Sequence, residues 1–173
     1  MTLAAQLDAA RITGEVATPR ENNLLHIRRF LDQEDGFHFG VELHRAWSYE
    51  EVFALMVERV GISADPDFLK GQDTISAALC IAALDRYADR LGRAVEQGES
   101  ILFASGHPAG MVPVYLALAD AVRSGGGTVV TAEGGIPIPS GGDLRHIGGV
   151  WHWHQHGSMP HTHAPEPMRA LLD

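Results

Sequence analysis

Cysteine is nearly missing from this sequence. Cys80 is the single one among 173 residues, so no intrachain disulfide can form. Long hydrophobic runs are missing too, and no window approaches the ~18 apolar residues a membrane span needs. The first residues, Met1 to Asp8, have neither the basic start nor the apolar core of a secretory signal. A cytoplasmic location is therefore expected. Basic charge is scarce: 13 Lys and Arg stand against 22 Asp and Glu, a formal net charge of −9. That argues against nucleic acid or an anionic membrane as partners, and any bound anion must be met locally. Internal repeats and low-complexity tracts are absent as well. What remains is ordinary for a globular chain, 45% hydrophobic and 20% charged, and long enough for a real core.

Residues 1–98 read as mostly helical. Leu3, Leu7 and Ala10 suggest a short first helix ending near Gly14. Thr18-Pro19-Arg20-Glu21 has the pattern of a capping box with proline at the first helical position, opening a helix to about Leu31. Arg20 could reach a ligand from that turn, although a solvated first turn is the plainer reading. Phe37 to Leu43 alternates as a short strand or extended loop would. Ser48-x-x-Glu51 caps another helix, and Ile81 to Val95 marks a long amphipathic one closed by Gly98.

At Glu99 the periodicity changes. An apolar run at 101–105, a helical pattern at 111–123 and a second apolar run at 128–131 make a βαβ unit, for which parallel pairing is the default. The expected fold is therefore α/β: a helical N-terminal portion, 1–98, packed on a small parallel Rossmann-like sheet in 99–173. Between the first strand and the helix lies Ser105-Gly106-His107-Pro108-Ala109-Gly110. A strand, a tight Gly/Pro loop and a helix N-terminus present backbone N–H groups to an anion. Ser105, Gly106 and Gly110 are the candidate contacts, and His107 adds a group that can move a proton or bind metal. Pro113 is expected in the first turn, starting the helix near Gly110 or Met111. Met111, Val114, Tyr115, Leu118, Ala119 and Val122 would then face the sheet.

Six of the ten histidines lie between His146 and His163. His152, His154 and His156 alternate with tryptophans, which on a strand would put three imidazoles on one face as candidate ligands for a divalent metal ion. The bland alternative is that they are ordinary surface or loop histidines. Ser158 precedes His161-Thr162-His163, and the prolines behind it suggest a second loop running into a helix.

Thr18–Asn23, Gly71-Gln72-Asp73-Thr74, the Gly-His-Pro-Ala-Gly loop and His161-Thr162-His163-Ala164-Pro165-Glu166-Pro167-Met168 together resemble an actinobacterial family known as phosphatases. The resemblance covers most of the chain, in order. It implies a hydrolase acting on a small phosphorylated metabolite, with phosphate at loop 105–110. On the residues themselves, the catalytic candidates are His107, as general acid or phosphorylated nucleophile, and His161 and His163, which would bind a metal or the leaving group; Ser158, Thr162 and Arg20 would contact substrate. The resemblance also implies a chain cut short at its C-terminus, leaving Met168, Leu171 and Leu172 exposed or covered by a second copy in a homo-oligomer. Two other functions fit the residues: a sugar-phosphate or nucleotide-binding module without hydrolysis, isomerase-like or regulatory, and a histidine-rich metal-binding protein.

Overall fold

A computed structural model describes residues 1–172. Two compact units divide the chain, 1–87 and 88–173.

In the first unit, helix α1 (Leu3–Ala9) is opened by Thr2, whose hydroxyl accepts from the Ala5 N–H. Strand β1 (Gly14–Pro19) leads directly into α2 (Arg20–Leu31), which buries Leu24 and Ile27. Helix α3 (Tyr49–Val60) has the expected capping box, with Ser48 and Glu51 each bonding the other's backbone, and ends on Gly61 in the left-handed conformation. Strand β2 (Gln72–Ile75) pairs antiparallel with β1, and helix α4 (Ala77–Glu96) runs across the boundary between the units.

Helices α1 to α4 make up most of residues 1–98, with the β1–β2 pair beside them. Two expectations need correcting. Thr18 makes no cap because its backbone belongs to β1. Pro19 is the N-cap, and Glu21 instead accepts from the Gly71 N–H at 3.2 Å. Residues 37–43 form no strand: Phe39 and Gly40 take positive φ, and the segment turns on itself.

Arg20 is the anchor of this unit and not a ligand contact. Its side chain is fully buried, and all three guanidinium nitrogens donate: to Phe68 O at 2.9 Å, to Asp73 Oδ2 at 2.9 Å and to Asp65 O at 3.1 Å. The cation also lies over the rings of Phe53 and Phe68. Asp73 accepts further bonds from Asn23 and from the N–H groups of Ser63 and Thr74. Burial pushes the Asp73 carboxyl up, but the bonds from Ser63, Arg20, Asn23 and Thr74 outweigh it and hold the group below the usual carboxylate range.

In the second unit, β3 (Ser100–Ile101) pairs parallel with β5 (Thr128–Val129), and α5 (Pro108–Ser124) crosses between them, as the period change at Glu99 predicts. The chain steps over Leu102 into β4 (Phe103–Ala104), which joins a different sheet. That sheet runs in the order β4, β8 (Val150–His154), β7 (Asp143–Ile147), β6 (Ile136–Pro137). Only its β4–β8 pair is parallel; β8, β7 and β6 form an antiparallel meander. The architecture is mixed α/β, with parallel pairing in two short places. Helix α6 (Glu166–Leu172) closes the described chain.

Helix α5 starts earlier than expected. Pro108 takes the first position, with φ already set for a helix, and His107 is the N-cap. Pro113 therefore lies inside, where its missing N–H leaves the Ala109 carbonyl without its usual i+4 donor. The helix buries Pro108, Val112, Ala119 and Val122; the last three pack with Phe103, Val129 and Val150, with the expected Tyr115 and Leu118 against them, while Val114 is half exposed. A second cluster joins Ile138, Leu144 and Trp151, with Ala170 and Leu171 of α6 against it. Met168 and Leu172 point to solvent at 42% and 70% exposure.

Removing one partner of the Arg20–Asp73 pair strands a buried charge. Arg20→Met or Asp73→Ala should cost about 3–5 kcal/mol in urea unfolding. The depressed carboxyl stabilises the fold above the unfolded aspartate value of ~3.9, and this contribution is lost as pH falls through the lower folded value. Asp73→Asn should therefore lose less stability than wild type between pH ~4 and ~2.

Candidate active site

Two loops of the second unit are held together through their backbones. Beyond β4, the Ser105 N–H donates to Trp151 O at 2.9 Å, which carries the β4–β8 pairing one residue further. The Ser105 hydroxyl accepts from the His107 N–H at 3.0 Å and folds the chain back toward α5. Between them, the Gly106 carbonyl accepts from the Thr162 N–H at 2.9 Å. The approach is so close that a Cβ on Gly106 would collide with the Thr162 carbonyl oxygen. Thr162 Oγ1 accepts from the Ala164 N–H and fixes the local turn.

The consequence is that His107, from the N-cap of α5, meets His161 and His163. The Nε2 atoms of His161 and His163 lie 2.9 Å apart, and those of His163 and His107 lie 3.2 Å apart. Among the described residues this is the one group of three potential metal ligands whose donor atoms all lie within 4.8 Å of one another. Burial lowers the His107 pKa, and the neighbouring His161 and His163 lower it further, so the neutral ring is favoured. A neutral imidazole nitrogen carries either one proton or one lone pair. A single Nε2 placed between two others therefore cannot make an in-line hydrogen bond of opposite sense to each. Three lone pairs aimed inward, by contrast, suit one cation: nitrogens ~2.0–2.1 Å from a tetrahedral zinc stand ~3.3 Å from each other. A cleft of about 750 Å³ opens beside the trio, lined by residues 104–111 together with Tyr115, Met159 and His161.

The other expected residues divide. Ser105, Gly106 and Gly110 line this cleft, and Gly110 faces open space. Thr162 contributes through its backbone. Ser158 lies elsewhere, in a separate cavity of about 280 Å³ with Arg145, His146, His152 and His154, and its hydroxyl donates to Gln155 O. Arg20 belongs to the other unit and is buried there.

His152, His154 and His156 do not converge. The first two share a strand face, but their ring centres are 6.4 Å apart, and His152 is buried with Nδ1 3.3 Å from Val150 O. Burial lowers the His152 pKa; the Val150 carbonyl opposes that, while His154 and His146 add to it. His156 leaves the strand in a turn at φ +50° and is exposed.

Two spacings known from phosphatase loops also occur in the chain and are not loops of that kind. Cys80 and Arg86 are separated by five residues, but both lie on α4, which forms no anion cradle. Asp65-Pro66-Asp67 is an exposed turn in which Asp65 Oδ1 accepts from the Asp67 N–H.

Gly106→Ala tests the staple directly. The added methyl must push Thr162 away, which should cost about 1–3 kcal/mol. It should also separate the imidazole resonances of His161 and His163 from that of His107 in nitrogen-15 spectra, with the circular dichroism of the fold retained.

Residues 1–173 match the family model described as Phosphatase. Over 171 residues the chain is 44% identical to "Phosphatase SCO2771" of Streptomyces coelicolor (strain ATCC BAA-471 / A3(2) / M145), covering 98% of this chain and 65% of that protein. The chain thus spans just under two thirds of that relative's length. No solved structure matches it. With its whole described length matched, the chain belongs to the Phosphatase family.

Proposed function

We propose that the chain hydrolyses phosphomonoesters of a small metabolite at the trio His107, His161 and His163. The single observation that carries the reading is the convergence of three Nε2 atoms at one edge of a cleft. The three imidazoles would hold a divalent metal ion, which when bound supplies a polarising charge for a phosphoryl oxygen and an acidified water. This reassigns His107 from a separate general acid to one of three ligands, because its Nε2 faces its partners and not the cleft alone.

The rest of the task falls to the loop. The first turn of α5 leaves the N–H groups of Ala109 and Gly110 without intrahelical acceptors, at the positive end of the helix dipole. Directed at phosphoryl oxygens, they stabilise charge as it develops. Gly110 has open space where a side chain would stand, so an anion can approach the backbone. In the reaction water attacks phosphorus, the ester P–O bond breaks, and the leaving alkoxide takes a proton. The products are inorganic phosphate and an alcohol.

The test pairs metal content with turnover. Protein purified without an affinity tag and reconstituted with zinc or manganese should hold one equivalent and release phosphate from 4-nitrophenyl phosphate. His161→Ala and His163→Ala should each lower metal content below a tenth of an equivalent and turnover by ~10²-fold or more. Full turnover in chelator-stripped wild type would refute the reading.

A further inference from the structure

The cleft beside the trio has an unusual lining for a phosphate-handling site. Apart from the histidines at its edge and Ser105, whose hydroxyl already accepts from the His107 N–H, its walls are Ala104, Pro108, Ala109, Met111, Tyr115 and Met159, with the glycines of the loop. Among the described residues, no Asp, Glu, Lys or Arg borders it. A volume of about 750 Å³ lies well within the range of small-molecule sites. Tyr115 is held in place by Phe103, with ring centres 5.9 Å apart, so one wall is fixed by the core. Met111 and Met159 supply flexible apolar surface that adapts to shape.

These walls discriminate. A second phosphate or a carboxylate would enter a chain of net charge −9 with no described Lys or Arg side chain beside it. A sugar would set most of its hydroxyls against alanine, proline and methionine, where few polar side chains meet them. An alkyl or aryl group loses nothing there and gains from burial. We infer that the cleft receives the uncharged, largely apolar alcohol portion of a phosphomonoester whose phosphoryl end lies at the histidines. The substrate class is thus short alkyl or aryl phosphates, not sugar phosphates or nucleotides. This inference rests on the reading of the trio as the phosphoryl site.

A homologous series separates the two claims. Methyl-, butyl- and hexylphosphonate carry the same charge, cannot be hydrolysed, and differ only in apolar length. Their affinities for the metal-reconstituted wild-type chain are read by titration calorimetry, beside turnover of the matching alkyl phosphates and of glycerol phosphate. Affinity should rise about two- to fourfold per methylene up to the length the cleft holds. Turnover per unit concentration, kcat/KM, should favour hexyl over glycerol phosphate by at least tenfold. Met159→Ser should cut the hexyl-to-methyl affinity ratio at least threefold. Equal affinity across the series would overturn the inference even with hydrolysis intact. A rising series without phosphate release would uphold the cleft and refute the proposed reaction.

Discussion

The backbone contact between Gly106 and Thr162 is the constraint on which the site depends. His107 and His163 are 56 positions apart, and nothing local brings them together. One N–H to C=O bond at 2.9 Å does so, at a place where no side chain fits between the strands of chain. Gly106 is needed there for the room that a missing Cβ leaves, since its φ is not in the left-handed region. The other supports follow in sequence. Pairing of β4 with β8 sets the height of the loop, the Ser105 hydroxyl turns it, and Pro108 begins α5 early enough to place His107 at the N-cap.

Bringing three imidazoles this close has a physical cost, and its form is informative. Partial burial disfavours a charge on His107, and the neighbouring rings of His161 and His163 disfavour it further, so His107 is biased toward the neutral state. A neutral imidazole has one donor and one acceptor nitrogen, so three clustered Nε2 atoms can turn their lone pairs together toward one cation. The Arg20–Asp73 pair is the contrast. There every guanidinium nitrogen and both carboxylate oxygens are engaged by the chain itself, which makes the pair a structural device with nothing left to offer a ligand.

What the sequence made legible was local. The Ser48–Glu51 capping box spans three residues and forms as read. The β3–α5–β5 crossover was legible because its periodicity and its glycine stop are contiguous. The pairing of β1 with β2 was not, because both are short and meet across some fifty intervening residues, and Val16 alone in β1 is buried hydrophobic. Arg20 looked like a solvated first-turn residue because its partner Asp73 is equally remote. The histidines show the same limit from the other side. The alternation at 152, 154 and 156 is conspicuous in the sequence, yet residues two apart on a strand stand ~6.5 Å from each other, too far for their rings to share an ion without leaning together. His161 and His163 are also two apart, but they lie in an irregular loop that lets the rings turn inward, and the third nitrogen comes from elsewhere.

The central claim is that His107, His161 and His163 form one metal-binding centre. Anomalous diffraction from crystals of the zinc-reconstituted protein, recorded above and below the zinc edge, tests it most directly. The account predicts one strong peak ~2.0–2.1 Å from the Nε2 atoms of all three histidines. A peak at His152 and His154 with none at the trio, or no peak in crystals grown with stoichiometric zinc, would contradict it.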